Sequence, residues 1–129
     1  MLSDFIAQTR TAPFRWGQND CALWCASAVQ HCTGFDPAAD LRGRYDSWMG
    51  CRRIVMQAGG LVGLVTPRMV HPCLRPLSQG DRDGVAVLRL ERQSLCGLIV
   101  AGRAVVKTAT GLRIADEFTV LRGWSWSRH

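Results

Sequence analysis

The sequence has no long apolar run, no internal repeat and no low-complexity tract. Although 47% of its 129 residues are hydrophobic, no stretch approaches the roughly 18–20 consecutive apolar residues of a membrane-spanning helix. No linker rich in Pro, Gly or Ser divides the chain. The sequence therefore predicts one compact domain over residues 1–129, with enough apolar material for a core.

Lysine is nearly absent. The formal charge of +6 comes from fifteen arginines and one lysine against ten acids. The arginines are scattered from Arg10 to Arg128, and only Arg52 and Arg53 are adjacent. No basic helix face, RNA-binding signature or zinc-finger spacing accompanies them, so nucleic-acid binding is not predicted. Arginine and tryptophan are enriched at protein interfaces, and their abundance indicates contacts with protein neighbours.

A secretory leader is not apparent at the start of the sequence. The segment MLSDFIAQTR carries an acid and a glutamine within its apolar stretch, which is typical of an amphipathic helix. We therefore expect synthesis in a reducing cytoplasm. Free thiols are expected at all six cysteines, which are Cys21, Cys25, Cys32, Cys51, Cys73 and Cys96.

The chain divides into a helical half (1–66), a loop (67–83) and a strand half (84–126). Helices are predicted near residues 3–10, from Cys21 to about Cys32, after Asp36-Pro37, over SWMGCRRIVMQAGG and over LVGLV. The strand half consists of short β-branched segments separated by turn residues, namely GVAVLRL, LCGLIVA, RAVVKTA, GLRIA and FTVLRGW. This order predicts an α+β fold in which N-terminal helices pack on a C-terminal antiparallel meander.

One cysteine stands where a nucleophile would be placed. In FRWGQNDCALW, Asp20 is a favourable N-cap, so Cys21 opens the helix that follows. The positive end of the helix dipole favours a thiolate, and catalytic cysteines at such sites have pKa values of roughly 3.5–7.5. Cys21 is the candidate nucleophile, and its use depends on a nearby base.

The WG-x-N-D-C run at the head of a helix, the later QGD before a strand and the short strands resemble the NlpC-type papain-like cysteine peptidases. More narrowly, FRWGQNDCALWCASAVQHCTGFDPAADLRGRYDSWMG is similar to a small phage and prophage branch encoded among tail-tip genes. The resemblance implies a papain-like fold over nearly the whole chain. It also implies a place in the virion, in the phage tail, with other tail-tip or baseplate proteins as partners.

The resemblance further implies a histidine at the start of the strand after the QGD strand, and an orienting polar residue on the next strand. Papain-like chemistry needs that imidazole to take the thiol proton and to protonate the leaving amine. Leu95 stands at the histidine position, and Lys107 stands near the orienter position. Both partners of Cys21 are therefore missing from the pattern.

Only three histidines could substitute. His31 lies ten residues along the same helix, about 15 Å from Cys21 at the helical rise per residue. His129 is the last residue, where a chain is expected to fray. His71, in the VHPC loop, is the remaining candidate base, because a loop can fold over a cleft.

Other residue groups have structural interpretations. Cys21, Cys25 and Cys32 form a helical stripe that could ligate a metal, but its spacing fits no zinc or iron–sulfur motif, and no metal or cofactor is predicted. Scaffold roles are expected for Asp36, Gly43, Tyr45 and Asp81. Trp16, Trp24 and Trp48 are assigned to the core, whereas Trp124 and Trp126 share one strand face and are the candidate partner contacts.

Two hypotheses from different classes follow. The first is a structural tail-tip or baseplate component with a degenerate NlpC-type fold that lacks the catalytic histidine. The second is an active cysteine hydrolase that cleaves peptidoglycan peptides during phage entry, with Cys21 as nucleophile and its backbone N–H in the oxyanion hole. The missing histidine favours the first.

Overall fold

Helices come first and strands second in the computed structural model, which describes residues 2–126, so the predicted α+β class is confirmed. The helices are α1 (Leu2–Thr9), α2 (Cys21–Thr33), α3 (Trp48–Gln57) and α4 (Leu61–Val65), and a 3-10 turn (Thr66–Arg68) follows. The strands are β1 (Leu74–Pro76), β2 (Gly84–Leu90), β3 (Gln93–Val100), β4 (Arg103–Thr108), β5 (Gly111–Ala115) and β6 (Thr119–Trp126). No helix among these residues is long and apolar enough to cross a membrane.

Helix α2 is the central helix, and its own residues define both ends. The Asp20 side chain accepts a hydrogen bond from the Leu23 N–H at 3.0 Å, which satisfies one of the free donors of the first turn. Gly34 takes the left-handed conformation (φ 80°) and donates its N–H to the Gln30 carbonyl. Between the caps, buried residues occur on every side of the helix (Leu23, Trp24, Cys25, Ala26, Ala28 and Val29).

The six strands form one antiparallel sheet in the order β1-β6-β2-β3-β4-β5. Only β2 to β5 follow the predicted meander. The last strand does not extend it but returns beside β2, where Val85 pairs with Trp124. Part of the segment predicted as loop, Leu74–Pro76, pairs with β6 and forms an edge strand.

Alternation along the strands divides the core between the two faces of the sheet. Val85, Val87, Cys96, Leu98 and Trp124 pack with residues of α1 and α2, among them Phe5, Trp24 and Val29. The intervening residues form a second cluster on the other face, which includes Ala86, Leu88, Ile99, Ala104 and Val106. Leu95 packs against this second cluster, so Cys96 is the β3 residue that joins the α2 side of the core.

The short helix predicted after Asp36-Pro37 does not form, and the segment from Asp36 to Gly43 consists of turns. The Asp36 carboxylate accepts from the Ala38 N–H at 3.1 Å and from the Arg42 guanidinium at 2.8 Å. These bonds stabilise a turn in place of a helical first turn. Arg42 also reaches the Ser27 hydroxyl, so the segment is attached to α2.

Candidate functional site

Cys21 is the first residue of α2, and its sulfur lies near the backbone N–H of Cys96 on β3. The residue packs at the margin of the second core cluster, to which Leu95 also belongs. The thiol thus lies between the head of the central helix and the sheet, where the nucleophile hypothesis requires it.

The pKa of the Cys21 thiol is shifted in the direction opposite to the one expected from the helix dipole. Although part of the residue's surface reaches solvent, burial of the thiol raises its pKa to about 11, with the neighbouring Asp20 carboxylate acting in the same direction. The Cys96 N–H lowers it, but by less. Cys21 is therefore a protonated thiol at neutral pH.

His71 is not in a position to take the proton of Cys21. Its ring stacks on Phe35, with 4.5 Å between the ring centroids, and its Nδ1 accepts from the Cys73 N–H at 3.1 Å. Phe35 follows the far end of α2, so the length of that helix, about 20 Å, separates His71 from Cys21.

The other two histidines do not supply a base either. His31 is exposed in the last turn of α2, where its ring lies 5.7 Å from that of Phe5. His129, expected to be frayed, lies outside the described residues. Within residues 2–126, no imidazole therefore lies beside the Cys21 thiol.

Lys107, at the predicted orienter position, has a different contact. It is 2% exposed, and its Nζ donates to the Ala12 carbonyl in the segment between α1 and α2. This bond attaches β4 to the chain that leads into the Cys21 helix. A cation bound to a main-chain carbonyl holds the segment in place and cannot orient an imidazolium.

Asp20 connects the two segments on which the sequence resemblance rests. Its carboxylate is 1% exposed and accepts from the backbone N–H groups of Gly17 and Leu23, both at 3.0 Å. It also accepts from the Tyr45 hydroxyl at 2.5 Å. Burial and this bond to Asp20 raise the pKa of Tyr45, so the phenol is a donor at neutral pH.

Gly17 is needed where these two segments meet. Its φ is +80°, and a Cβ built on it would lie 1.7 Å from the Tyr45 carbonyl oxygen. The Gly43 N–H donates to the Gly17 carbonyl at 2.8 Å, which adds a second connection. The sequence predicted only packing for Tyr45; the preference of a buried carboxylate for a nearby donor was the signal that could have indicated the bond.

The cysteines are all free thiols, as expected. Cys25 and Cys96 are buried, and burial raises the pKa of both well above the ordinary range. Cys51 on α3 lies near enough to Cys21 and Cys96 to affect their pKa values. Among residues 2–126, however, no group of three or more His, Cys, Asp or Glu side chains is arranged to hold a metal ion.

Asp81 ties its turn as predicted, by accepting from the Ser78 N–H at 2.8 Å. Arg75 adds an ion pair at 2.7 Å that the sequence did not indicate. This ion pair and the Ser78 bond hold the pKa of Asp81 well below its usual range. The bonds fix the turn before β2, so Asp81 serves the scaffold.

The two candidate partner contacts on β6 are in the core. Trp124 is 6% exposed and belongs to the cluster on the α2 side, and Trp126 is half-buried against the same cluster. Trp124 and Trp126 share one face of β6, as predicted, but that face points into the core because α2 covers that side of the sheet. Trp124 therefore packs, and it offers almost no surface to a partner.

The fold and the site define an α+β protein in which a partly exposed cysteine opens the central helix, its thiol is protonated, and no imidazole of residues 2–126 lies beside it. The chain belongs to a family described as "Domain of unknown function (DUF6950)", which matches residues 1–126. No curated protein and no solved structure matches the chain.

Proposed function

We propose that this protein is a non-catalytic structural component of the tail tip or baseplate of a tailed bacteriophage or prophage. It has a degenerate NlpC-type, papain-like fold that has lost its catalytic histidine, and it binds neighbouring tail proteins in the virion after synthesis in the host cytoplasm. The observation that carries the proposal is the state of Cys21, whose thiol is protonated and has no imidazole beside it in the part of the chain that the structure describes.

The chemistry of a cysteine peptidase explains why this observation supports the proposal. The nucleophile is the thiolate, and with a pKa of about 11 only about one thiol in 10,000 is ionised at pH 7. A reaction would also need a proton donor for the leaving amine. His71 is held at the other end of α2 by Phe35 and Cys73, and the buried Lys107 is bound to a carbonyl.

The residues of the resemblance support the same conclusion. Asp20, Gly17 and Tyr45 hold the two N-terminal segments together, and Asp36 with Arg42 attaches the following turn to α2. Each of these residues has a structural role that does not depend on catalysis. A fold can keep such contacts after its chemistry is lost, because activity belongs to the site and stability to the scaffold.

One observation favours the second hypothesis, an active cysteine hydrolase acting on peptidoglycan peptides. Cys21 is the first residue of a helix, and the Cys96 N–H lies near its sulfur, so one backbone donor is available to a thiolate there. This arrangement supplies a nucleophile and a donor, but the described residues bring no base to it.

The experiment that tests the proposal combines location with activity. Purified phage or induced prophage particles are fractionated, and the tail fraction is examined by mass spectrometry. The purified protein is also incubated with peptidoglycan, and the release of new amino groups is measured. We expect the chain in the tail fraction and no release of amines. Absence from the particle, or amine release that Cys21→Ala abolishes, contradicts the proposal.

A further inference from the structure

The outward side of α3 is apolar and exposed. Six residues, Trp48, Met49, Arg52, Arg53, Met56 and Gln57, lie on adjacent turns of this side and form what we call the α3 outer face. Trp48 is 53% exposed, Met49 60% and Met56 64%. Trp48 was assigned to the core from the sequence, and the structure places it at the surface.

The fold does not account for these exposed side chains. The inward side of α3 carries Cys51, Ile54 and Val55, which are half-buried and line an apolar cavity of about 70 Å³ between the helices and the sheet. These inward residues attach α3 to the protein. The outer face is therefore a second apolar surface on the same helix, and exposed clusters of this kind mark interaction sites.

The charge of the outer face is positive and uncompensated. Helix α3 contains no acidic residue, and within residues 2–126 no carboxylate lies within 4 Å of Arg52 or Arg53. Five other arginines do have carboxylate partners (Arg42, Arg68, Arg75, Arg103 and Arg113). The Arg52 guanidinium lies over the Trp48 ring, 5.5 Å from its centroid, so the two form a preordered platform.

We infer that the α3 outer face is a docking site for an acidic protein segment that carries an exposed apolar side chain. Its carboxylates would pair with Arg52 and Arg53. Its apolar side chain would enter the depression lined by Met49, Arg52, Arg53, Met56 and Gln57, where methionine adapts to varied shapes. Under the proposed function, on which this identification of the partner rests, the segment belongs to a neighbouring tail protein.

Three other occupants fit the surface less well. A second copy packed through the same face would bring two positively charged patches together, because a two-fold interface joins identical patches. Duplex DNA is bound through a run of phosphate contacts, whereas this face offers two guanidinium groups on a helix of about 15 Å. Two cations also give only a weak attraction to an anionic membrane.

The test uses the purified full chain and a fluorescein-labelled acidic peptide, with Leu and Phe at i and i+4 spacing among glutamates, read by fluorescence anisotropy. Arg52→Glu/Arg53→Glu should weaken binding by at least about tenfold, and so should Trp48→Ala. The matched control is Arg89→Glu/Arg92→Glu, which changes the net charge equally at exposed positions elsewhere and should change binding by less than about twofold. Thermal unfolding should match the wild type in every variant, since the inward side of α3 is untouched.

Equal weakening by the two double variants would mean that only the net charge attracts the peptide, and it would overturn the inference. So would binding that the α3 changes leave intact. Phosphatidylserine vesicles, duplex DNA and sedimentation of the protein alone are measured in parallel. Tighter binding to vesicles or DNA through α3, or self-association that needs α3, overturns the inference in favour of that occupant. Peptide binding is measured on the purified protein and not on phage particles. A failure of this inference can therefore be distinguished from a failure of the proposed function, in which the chain would be absent from the tail.

Discussion

The protonation state of the Cys21 thiol is decided by two opposing contributions at its sulfur atom. The N-terminal end of a helix stabilises a nearby anion by about 0.3–1 kcal/mol in ordinary settings. The rise of the thiol pKa from its ordinary value of about 9 to about 11 corresponds to about 3 kcal/mol in the other direction. Burial and the Asp20 carboxylate therefore outweigh the dipole, and the residue that caps the helix also keeps its first thiol protonated.

The raised thiol pKa predicts a loss of stability in alkali. The unfolded chain loses the Cys21 proton near pH 9 while the folded protein keeps it, so the free energy of unfolding is unaffected below pH 9 and decreases toward pH 11. Cys21 alone contributes a decrease of about 2 kcal/mol between pH 9 and pH 11. Urea titrations at pH 8, 9, 10 and 11 measure it.

The control for this prediction is Cys21→Ala. The variant should lose less stability between pH 9 and pH 11 than the wild type, because the Cys21 contribution is removed. Some loss should remain, because Cys25 and Cys96 still have raised pKa values. An identical decrease in both proteins would show that Cys21 has an ordinary pKa and would undermine the description of a protonated, buried thiol.

The bond between Tyr45 and Asp20 is the second prediction at this scale. Tyr45→Phe removes one donor from a buried carboxylate and should lower the free energy of unfolding by about 1.5–3 kcal/mol, the range for hydrogen bonds to charged groups. Asp116→Asn is the comparison, since it breaks the exposed ion pair with Arg103 and should cost much less. Chemical denaturation of both variants gives the difference, and equal costs would contradict the role of Tyr45.

At the scale of elements, the close approach of the Gly17 turn to Tyr45 joins two segments that are distant in sequence. Gly17→Ala should destabilise the protein strongly, by 3 kcal/mol or more, because it adds a steric clash to an unfavourable backbone conformation. Gly43→Ala is a matched control: its φ is +77°, but nothing lies within 4 Å of the added Cβ. It should cost only about 1–2 kcal/mol. Thermal unfolding of both variants gives their loss of stability, and the difference between the two losses measures the clash. Similar losses in Gly17→Ala and Gly43→Ala would rule the clash out.

The elements themselves were largely predictable from the sequence. The Asp20 cap predicted the start of α2, and its end near Cys32 was predicted to within a residue; the β-branched runs predicted β2 to β5. The return of β6 to β2 was not predictable, because strand order depends on tertiary pairing and not on local pattern. The same limit explains Trp48 and Trp124, whose burial depends on which neighbour covers each side of an element.

The candidate site was predicted in part, for a similar reason. The position of Cys21 and the lack of a histidine on β3 could be read from the chain. The raised pKa could not, because burial by the sheet and the approach of Asp20 are tertiary effects that exceed the local dipole. The hydrogen bond from Tyr45 to Asp20 spans 25 positions in the sequence, and only the folded chain brings the two together.

At the scale of the whole molecule, a cysteine opens the central helix, and no imidazole of residues 2–126 lies beside it. The contacts of Asp20, Gly17 and Lys107 stabilise the head of α2, and α3 presents an uncompensated basic and apolar face. Both features fit a component that holds a shape and binds a neighbour. A hydrolase would instead need Cys21 ionised.

The infectivity of a phage or prophage particle that carries Cys21→Ala tests this account most directly. The plating efficiency is compared with that of the wild type and of Cys73→Ala, and tails are counted by electron microscopy. Because alanine fits the helix start and no reaction is lost, the account predicts complete tails and plating within about twofold of the wild type. Complete tails that adsorb but fail to infect, in Cys21→Ala and not in Cys73→Ala, would contradict it.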